Sequence, residues 1–542
     1  MSNPRLFAVT RGLTDVTEVE PNNSVDKAQT VPLNSAVHGS SDQNDQDVFR
    51  FSAKKGQRVT IECQAGRLDS ALDPTLVLTT LDGAPLAANG DYHGRDPFLD
   101  FVAPADGDYL ATVGDLSYRG GHPYQLVIST LPQLENAFPR VVAAGKTTEL
   151  QLFGRNLGGG AIVSPLKIAD LPLEELKVAV TPPADISQLG AFRFIEHPTD
   201  HSTLPTAATC TLTGFQALTG LPNERGPAVP LMVTDYPISI EREPNDAREQ
   251  AQALPLPGVV SGRFDGPRDA DWYEIDVATA GNYAIDVYCE RIAGRADPYV
   301  AVFDEQGNRV TELDDFGHRV NAFDGHLRDP SGNVNLAAKK KYKLLVQDRY
   351  RRGGPRYQYV LSVRPPRGDF YISAIHSQNP GPGGTTVRQG GATYLDVVIH
   401  YTEGFSGPVT ITATDLPPGV KVAPTTIHGT SGVVVVTAAP DAPEWNGFVR
   451  LTATGKRDDM TEIAREVRST TRVWTDTNMP GSRPTRQLAL AVRDSAPYAL
   501  RFEPESTTIV AGQKVDVKLK LERRWEKFNA SVNVLPLSLP GG

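Results

Sequence analysis

Cysteine is scarce in this chain: three in 542 residues, at positions 63, 210 and 289. No two form a Cys-x-x-Cys pair, so zinc and redox motifs are unsupported. Cys63 and Cys289 read as small buried thiols on strands. Positive charge is not in excess either. The formal net charge of −10 argues against a nucleic-acid partner, which needs a basic face for phosphate; it suits a soluble surface protein or one that takes up cations. No apolar run is long enough to span a membrane, and Met1 to Thr17 holds no apolar signal-peptide core. Catalytic signatures are missing as well: there is no His-Glu-x-x-His, no Gly-x-Ser-x-Gly and no Gly-x-x-x-x-Gly-Lys-Ser/Thr. The pair His197 and His201 would share a helix face, but Pro198 and Thr199 between them make the segment a polar loop. A non-catalytic chain is expected.

What is present is turn chemistry and period-two alternation. With 48 Gly and 43 Pro, the chain reads as short strands joined by turns, and its length calls for several domains. Runs such as Val59-Thr60-Ile61-Glu62-Cys63 and Tyr124-Gln125-Leu126-Val127-Ile128 alternate in the manner of half-buried strands. The expected class is all-β, as tandem β-sandwiches.

The chain is organised by a duplication. Glu241-Arg242-Glu243-Pro244-Asn245-Asp246, then Val260-Ser261-Gly262, then Asp269-Ala270-Asp271-Trp272-Tyr273 repeats an earlier series. That series is Glu18-Val19-Glu20-Pro21-Asn22-Asn23, Val37-His38-Gly39 and Asp45-Gln46-Asp47-Val48-Phe49. Glu241 lies 223 residues after Glu18, and Asp271 lies 224 after Asp47. The match runs on through Asp73-Pro74 with Asp297-Pro298 and Arg119-Gly120-Gly121 with Arg352-Gly353-Gly354. It closes on Tyr124-Gln125 with Tyr357-Gln358, where the spacing has grown to 233 through a short insertion in the second copy.

Over residues 18–130 and 241–365 these motifs resemble the bacterial pre-peptidase C-terminal domain family. The resemblance implies a jelly-roll-like β-sandwich of the kind found beside secreted peptidases and in cell-surface proteins. Between the copies, Phe138-Pro139-Arg140, Ala144-Gly145-Lys146 and the strand ending in Gly154-Arg155-Asn156-Leu157 resemble an immunoglobulin-like domain of the IPT/TIG type, over 131–238. After the Pro365-Pro366 linker, alternating strands from Val387 to Val420 make 367–496 immunoglobulin-like, and a second such series in 497–542 is incomplete. Residues 1–17 are expected to be the last strand of another such domain, because Arg5-Leu6-Phe7-Ala8-Val9-Thr10 is similar to Pro230-Leu231-Met232-Val233-Thr234-Asp235. On that expectation the chain is a piece of a longer protein, and its lack of a signal peptide is uninformative.

The chemical signal is acidic. Calcium takes six to eight oxygen ligands in flexible geometry. Glu18, Glu20, Asn22 and Asn23 sit on one turn, with Asp45 and Asp47 following; Glu241, Glu243, Asn245, Asp246, Asp269 and Asp271 repeat the set. This resembles the calcium site of the collagen-binding domains of clostridial collagenases, with Asn23 standing where an Asp would add charge. The plain alternative is a solvated turn whose Asn and Asp cap their own backbone. The aromatics Tyr92, Tyr118, Phe316 and Tyr350 near turns are weaker candidates for ligand contact, and Arg367-Gly368-Asp369 reads as a chance tripeptide. The expected role is a secreted or cell-surface, calcium-stiffened module for spacing and adhesion or substrate binding, its partner an extracellular polymer or protein. The alternatives are accessory domains of a secreted peptidase, or a carbohydrate- or collagen-binding module.

Overall fold

The computed structural model describes residues 8–534 apart from 118–119, 186–211, 218–220, 222, 224, 227–228, 316–318, 321–322, 325–326, 376–383, 473–481, 486, 504–511 and 515. The chain divides into two compact bodies, one of residues 5–316 with 326–365, the other chiefly residues 366–542. Both are built of strands, as the alternation requires.

The first body opens with ten strands: β1 (Thr14–Thr17), β2 (Gln29–Thr30), β3 (Ser35–Ser41), β4 (Gln46–Ala53), β5 (Arg58–Gln64), β6 (Pro74–Thr80), β7 (Pro85–Asn89), β8 (Phe98–Val102), β9 (Gly107–Asp115) and β10 (His122–Ser129). They form two five-stranded sheets, in the orders β1-β3-β10-β5-β8 and β2-β4-β9-β6-β7. Alternate residues of both sheets, among them Phe49, Phe51, Ile61, Leu76, Leu78, Val113 and Leu126, fill one core between them. Cys63 lies buried in this core as a free thiol. β1 pairs in parallel with β3, Thr14 opposite Ser35. Residues 14–17 are therefore an edge strand of the first repeat; of the stretch 5–10 expected to close an upstream domain, residues 5–7 lie outside the described residues.

Residues 238–364 repeat this arrangement strand for strand. Ile238–Ile240, Gly258–Arg263, Gln358–Arg364, Gly281–Tyr288 and Ser331–Leu336 make one sheet in the order of the β1 sheet; Gln252–Ala253, Asp271–Val277, Lys340–Asp348, Pro298–Phe303 and Arg309–Leu313 make the other. Cys289 is again buried, one residue past its strand. Between the repeats, Gln133–Phe138, Thr148–Arg155, Leu171–Val180 and Ile162–Ile168 face a three-stranded sheet of Val141–Ala143, Val229–Thr234 and Gly214–Ala217. Leu134, Leu150, Leu152, Leu231 and Val233 are the core of that sandwich. Cys210 and the His197–His201 segment lie outside the described residues.

The second body holds a sandwich from Asp369–Ile375 to Leu488–Ser495, its core led by Phe370, Ile372, Ile399, Val409 and Leu451. In it Asp369 is held by Arg465, with Nε donating to Oδ1 at 3.0 Å, so the Arg-Gly-Asp carboxylate already has a partner. Beyond it, Tyr498–Glu503 and Lys518–Arg523 form a two-stranded hairpin on which Phe502, Leu519 and Leu521 are exposed.

Candidate metal centres

β1 delivers the chain into the acidic turn, and four hydrogen bonds hold that turn in place. The Gln29 side chain accepts from the Val19 N–H at 2.8 Å and donates to the Thr17 carbonyl at 3.0 Å. The Asn22 carbonyl accepts from the Val48 N–H of β4 at 3.1 Å. Glu20 accepts from the Asn22 N–H at 2.8 Å. In the second copy Gln252 clamps Arg242 and Ile240 in the same way, at 2.8 and 2.9 Å. There the Asn245 carbonyl takes the Trp272 N–H at 3.0 Å, and Glu243 takes the Asn245 N–H at 2.8 Å.

The turn so held brings Glu18, Glu20 and Asp47 together, with one oxygen of each within 4.8 Å of the others, and does the same with Glu241, Glu243 and Asp271. A tyrosine completes each cluster. Tyr124 Oη lies 2.8 Å from Glu18 Oε1 and 2.7 Å from Asp47 Oδ2. Tyr359 Oη lies 3.0 Å from Glu241 Oε1 and 2.5 Å from Asp271 Oδ2. A phenol has one proton to donate, so it cannot satisfy both carboxylates. Tyr273, where the first copy has Phe49, adds its hydroxyl to Glu241 at 3.0 Å.

These tyrosines explain the Val-x-Gly motif. Gly39 of β3 sits opposite Tyr124, and a Cβ there would lie 2.5 Å from the tyrosine ring; at Gly262, opposite Tyr359, the distance would be 2.4 Å. Tyr124 is thus equivalent to Tyr359, and the expected match of Tyr124-Gln125 with Tyr357-Gln358 is displaced by two residues.

Among the described residues, four buried oxygens of the two clusters have no donor: Asn22 Oδ1 and Asp47 Oδ1 in one copy, Asn245 Oδ1 and Asp271 Oδ1 in the other. An orphaned buried acceptor is costly, and the same pair of atoms is orphaned twice. The electrostatics agree. Burial, with Glu18, Asp45 and Glu20 adding to it, pushes Asp47 up to about 8. Burial, then Asp269, Glu241 and Asp246, lifts Glu243 to about 7. Burial and then Glu241 hold Asp271 well above the carboxylate range.

The copies differ in the outer residues. In the second, Glu243, Asp246 and Asp269 make a further carboxylate group that shares Glu243. In the first, Asn23 instead donates its amide to Asp45, which leaves one anion fewer. All twelve expected residues therefore lie in or beside the two clusters. Sequence reasoning missed Tyr124, Tyr359, Tyr273 and the two glutamines, although Gln252 falls 223 residues after Gln29, the spacing of the repeat itself.

The raised carboxyls set the pH response of the metal-free chain. Their folded values exceed the ordinary ones, so the folded state binds more protons and stability falls as pH rises. With chelator present, the melting midpoint is expected to fall from about pH 5 to about pH 8. A midpoint that stays level over that interval would show the carboxylates to be ordinary surface groups.

Tyr350 is 68% exposed with Arg352 over its ring, while Tyr118 and Phe316 lie outside the described residues. Tyr92 is buried and cannot stack on a ligand. A further group of Asp297, Asp314 and Asp315 lies beside Arg349, which pairs with Asp314.

Residues 45–114, from the loop before β4 to β9, match the family model of the bacterial pre-peptidase C-terminal domain. Among solved structures, the pre-peptidase C-terminal domain of a collagenase from Bacillus anthracis is similar at 21% identity, over 19% of this chain and 93% of that one, with a TM-score of 0.17. PliG of Aeromonas hydrophila, a periplasmic inhibitor of g-type lysozyme, is similar at 19% identity, over 21% of this chain and 98% of that one, with a TM-score of 0.16. Domains 1–6 of the surface layer protein SbsC match at 12% identity over 90% of this chain and 63% of that one, with a TM-score of 0.15. Likenesses at these scores carry no argument about function.

Proposed function

We propose that this chain is a non-catalytic accessory portion of a secreted or cell-surface protein, used for spacing and adhesion or substrate binding, whose two repeats take up calcium. The observation that supports the calcium reading is the recurrence of two orphaned buried oxygens at equivalent places beside three crowded carboxylates. Hard oxygens in this number suit calcium better than softer metals. Glu18, Glu20, Asn22 and Asp47 would hold the ion in the first copy, and Glu241, Glu243, Asn245 and Asp271 in the second; Asp246 and Asp269 raise the negative charge of the second site. A bound cation would supply the positive charge that neither cluster finds among the described residues. The extracellular reading rests on the family matched by residues 45–114. Among the described residues, no helix is long and apolar enough to cross a membrane.

A thermal melt of the full chain in calcium and in excess chelator tests this. A site at a hundredfold excess over its Kd adds about 2.7 kcal/mol, so the midpoint is expected to rise by several degrees with calcium and far less with magnesium. An unchanged midpoint would reduce the clusters to solvated turns.

The alternative of a carbohydrate- or peptide-binding module draws on a separate observation. On the outer face of the second repeat Trp272 and Phe303 pack at 5.4 Å between ring centroids, where the strand registers put Val48 and Thr79 in the first. An accessory role beside a peptidase draws only on the family name.

A further inference from the structure

Among the described residues, the two repeats meet at a loop of the first. Tyr92, between β7 and β8, spends every polar atom of its side chain and its carbonyl on other domains. Its hydroxyl donates to Glu135 Oε2 at 2.7 Å and accepts from Arg155 Nη2 at 3.1 Å, both in the intervening sandwich. Its carbonyl accepts from Arg356 Nη2 at 2.8 Å and also from Arg295, both of the second repeat. The Arg356 guanidinium lies over its ring, 3.8 Å from the centroid.

Around this residue the charges interlock. Arg155, with no exposed side-chain surface, pairs with Asp100 of the first repeat and with Glu135, each at 2.6 Å. Arg356 pairs with Glu135 at 2.8 Å. Farther out, Arg225 of the intervening sandwich pairs with Glu62 of the first repeat at 2.8 Å. Against the second repeat, the Arg140 N–H donates to Ser261 Oγ at 3.0 Å, and Asn136 Nδ2 donates to the Pro355 carbonyl at 2.5 Å. Consecutive domains joined by short connections move freely unless their interface forbids it. Buried ion pairs add little net stability, but they penalise misalignment, since any other docking angle leaves a buried charge without its partner.

We propose that Tyr92 and the guanidinium groups around it lock the two repeats and the sandwich between them into one rigid body, which holds the two carboxylate clusters at a fixed separation. The lock is built from residues outside both clusters and does not depend on a cation.

The test is a distance measurement on the full chain in chelator, with spin labels at D82C and Q306C, both exposed positions, in a C210S background. The parent is expected to give one narrow distance distribution. R295A/R356A, which frees the second repeat from Tyr92 and Glu135, is expected to lose that peak and give a broad distribution with its strand content unchanged by circular dichroism. A broad distribution in the parent overturns the proposal, and so does a narrow one in the folded double variant. Should the double variant unfold, R356K keeps the charge but loses the planar fork and is expected to broaden the peak; an unchanged peak there overturns the proposal as well.

Discussion

Asp271→Asn is expected to reverse the order of two melting curves: no lower than the parent in chelator, and well below it in calcium. Asp271 is fully buried, accepts the Tyr359 hydroxyl on Oδ2 at 2.5 Å, and offers Oδ1 to no donor. Without a cation its ionised form is opposed by burial first and by Glu241 next. An amide of the same shape removes that cost and still accepts from Tyr359, so the metal-free fold loses nothing. With calcium, the change removes a charged ligand from a site whose saturation adds about 2.7 kcal/mol. At about 2 °C per kcal/mol for a body of this size, the missing response is several degrees. Scanning calorimetry of both proteins, with and without chelator, reads the four midpoints directly. If calcium raises variant and parent alike, Asp271 is no ligand and the second cluster is a capped turn.

The acidic residues were legible because each copy carries them in two short runs and the runs recur together. The tyrosines were not, for a reason that lies in strand geometry. The insertion in the second copy hides the true offset, and matching Tyr357 to Tyr124 errs by two residues. A shift of two returns every side chain to the same face of a strand, so alternation cannot detect it; only the register of Gly262 opposite Tyr359 does. Two-sheet cores were similarly legible, since Phe49, Phe51 and Ile61 announce their face by alternation. The role of Tyr92 was hidden. Contacts between domains follow no period, and an aromatic residue flanked by Asp91 and His93-Gly94 has the local look of an exposed turn. The sequence likewise suggests separate sandwiches strung in a row, because a linker of turn residues and a clamp of buried arginines are not distinguished by composition.

The strongest single loss of stability is expected from Arg155→Met. The change keeps much of the apolar stem in place and takes away the guanidinium that faces Asp100 and Glu135. Removing one member of a buried pair costs about 3–5 kcal/mol, because the other charge stays buried. Here each orphan keeps a second partner: Arg58 holds Asp100 at 2.6 Å, and Arg356 holds Glu135 at 2.8 Å. The cost should therefore fall near the lower end, about 3 kcal/mol. Adding Glu135→Gln to Arg155→Met takes the carboxylate partner from Arg356 in turn, so the double variant is expected to be no more stable than the single one. Urea unfolding of the full chain supplies each midpoint. A loss below about 1 kcal/mol for Arg155→Met would match solvent-exposed pairs, which is incompatible with a guanidinium sealed between the first repeat and the intervening sandwich.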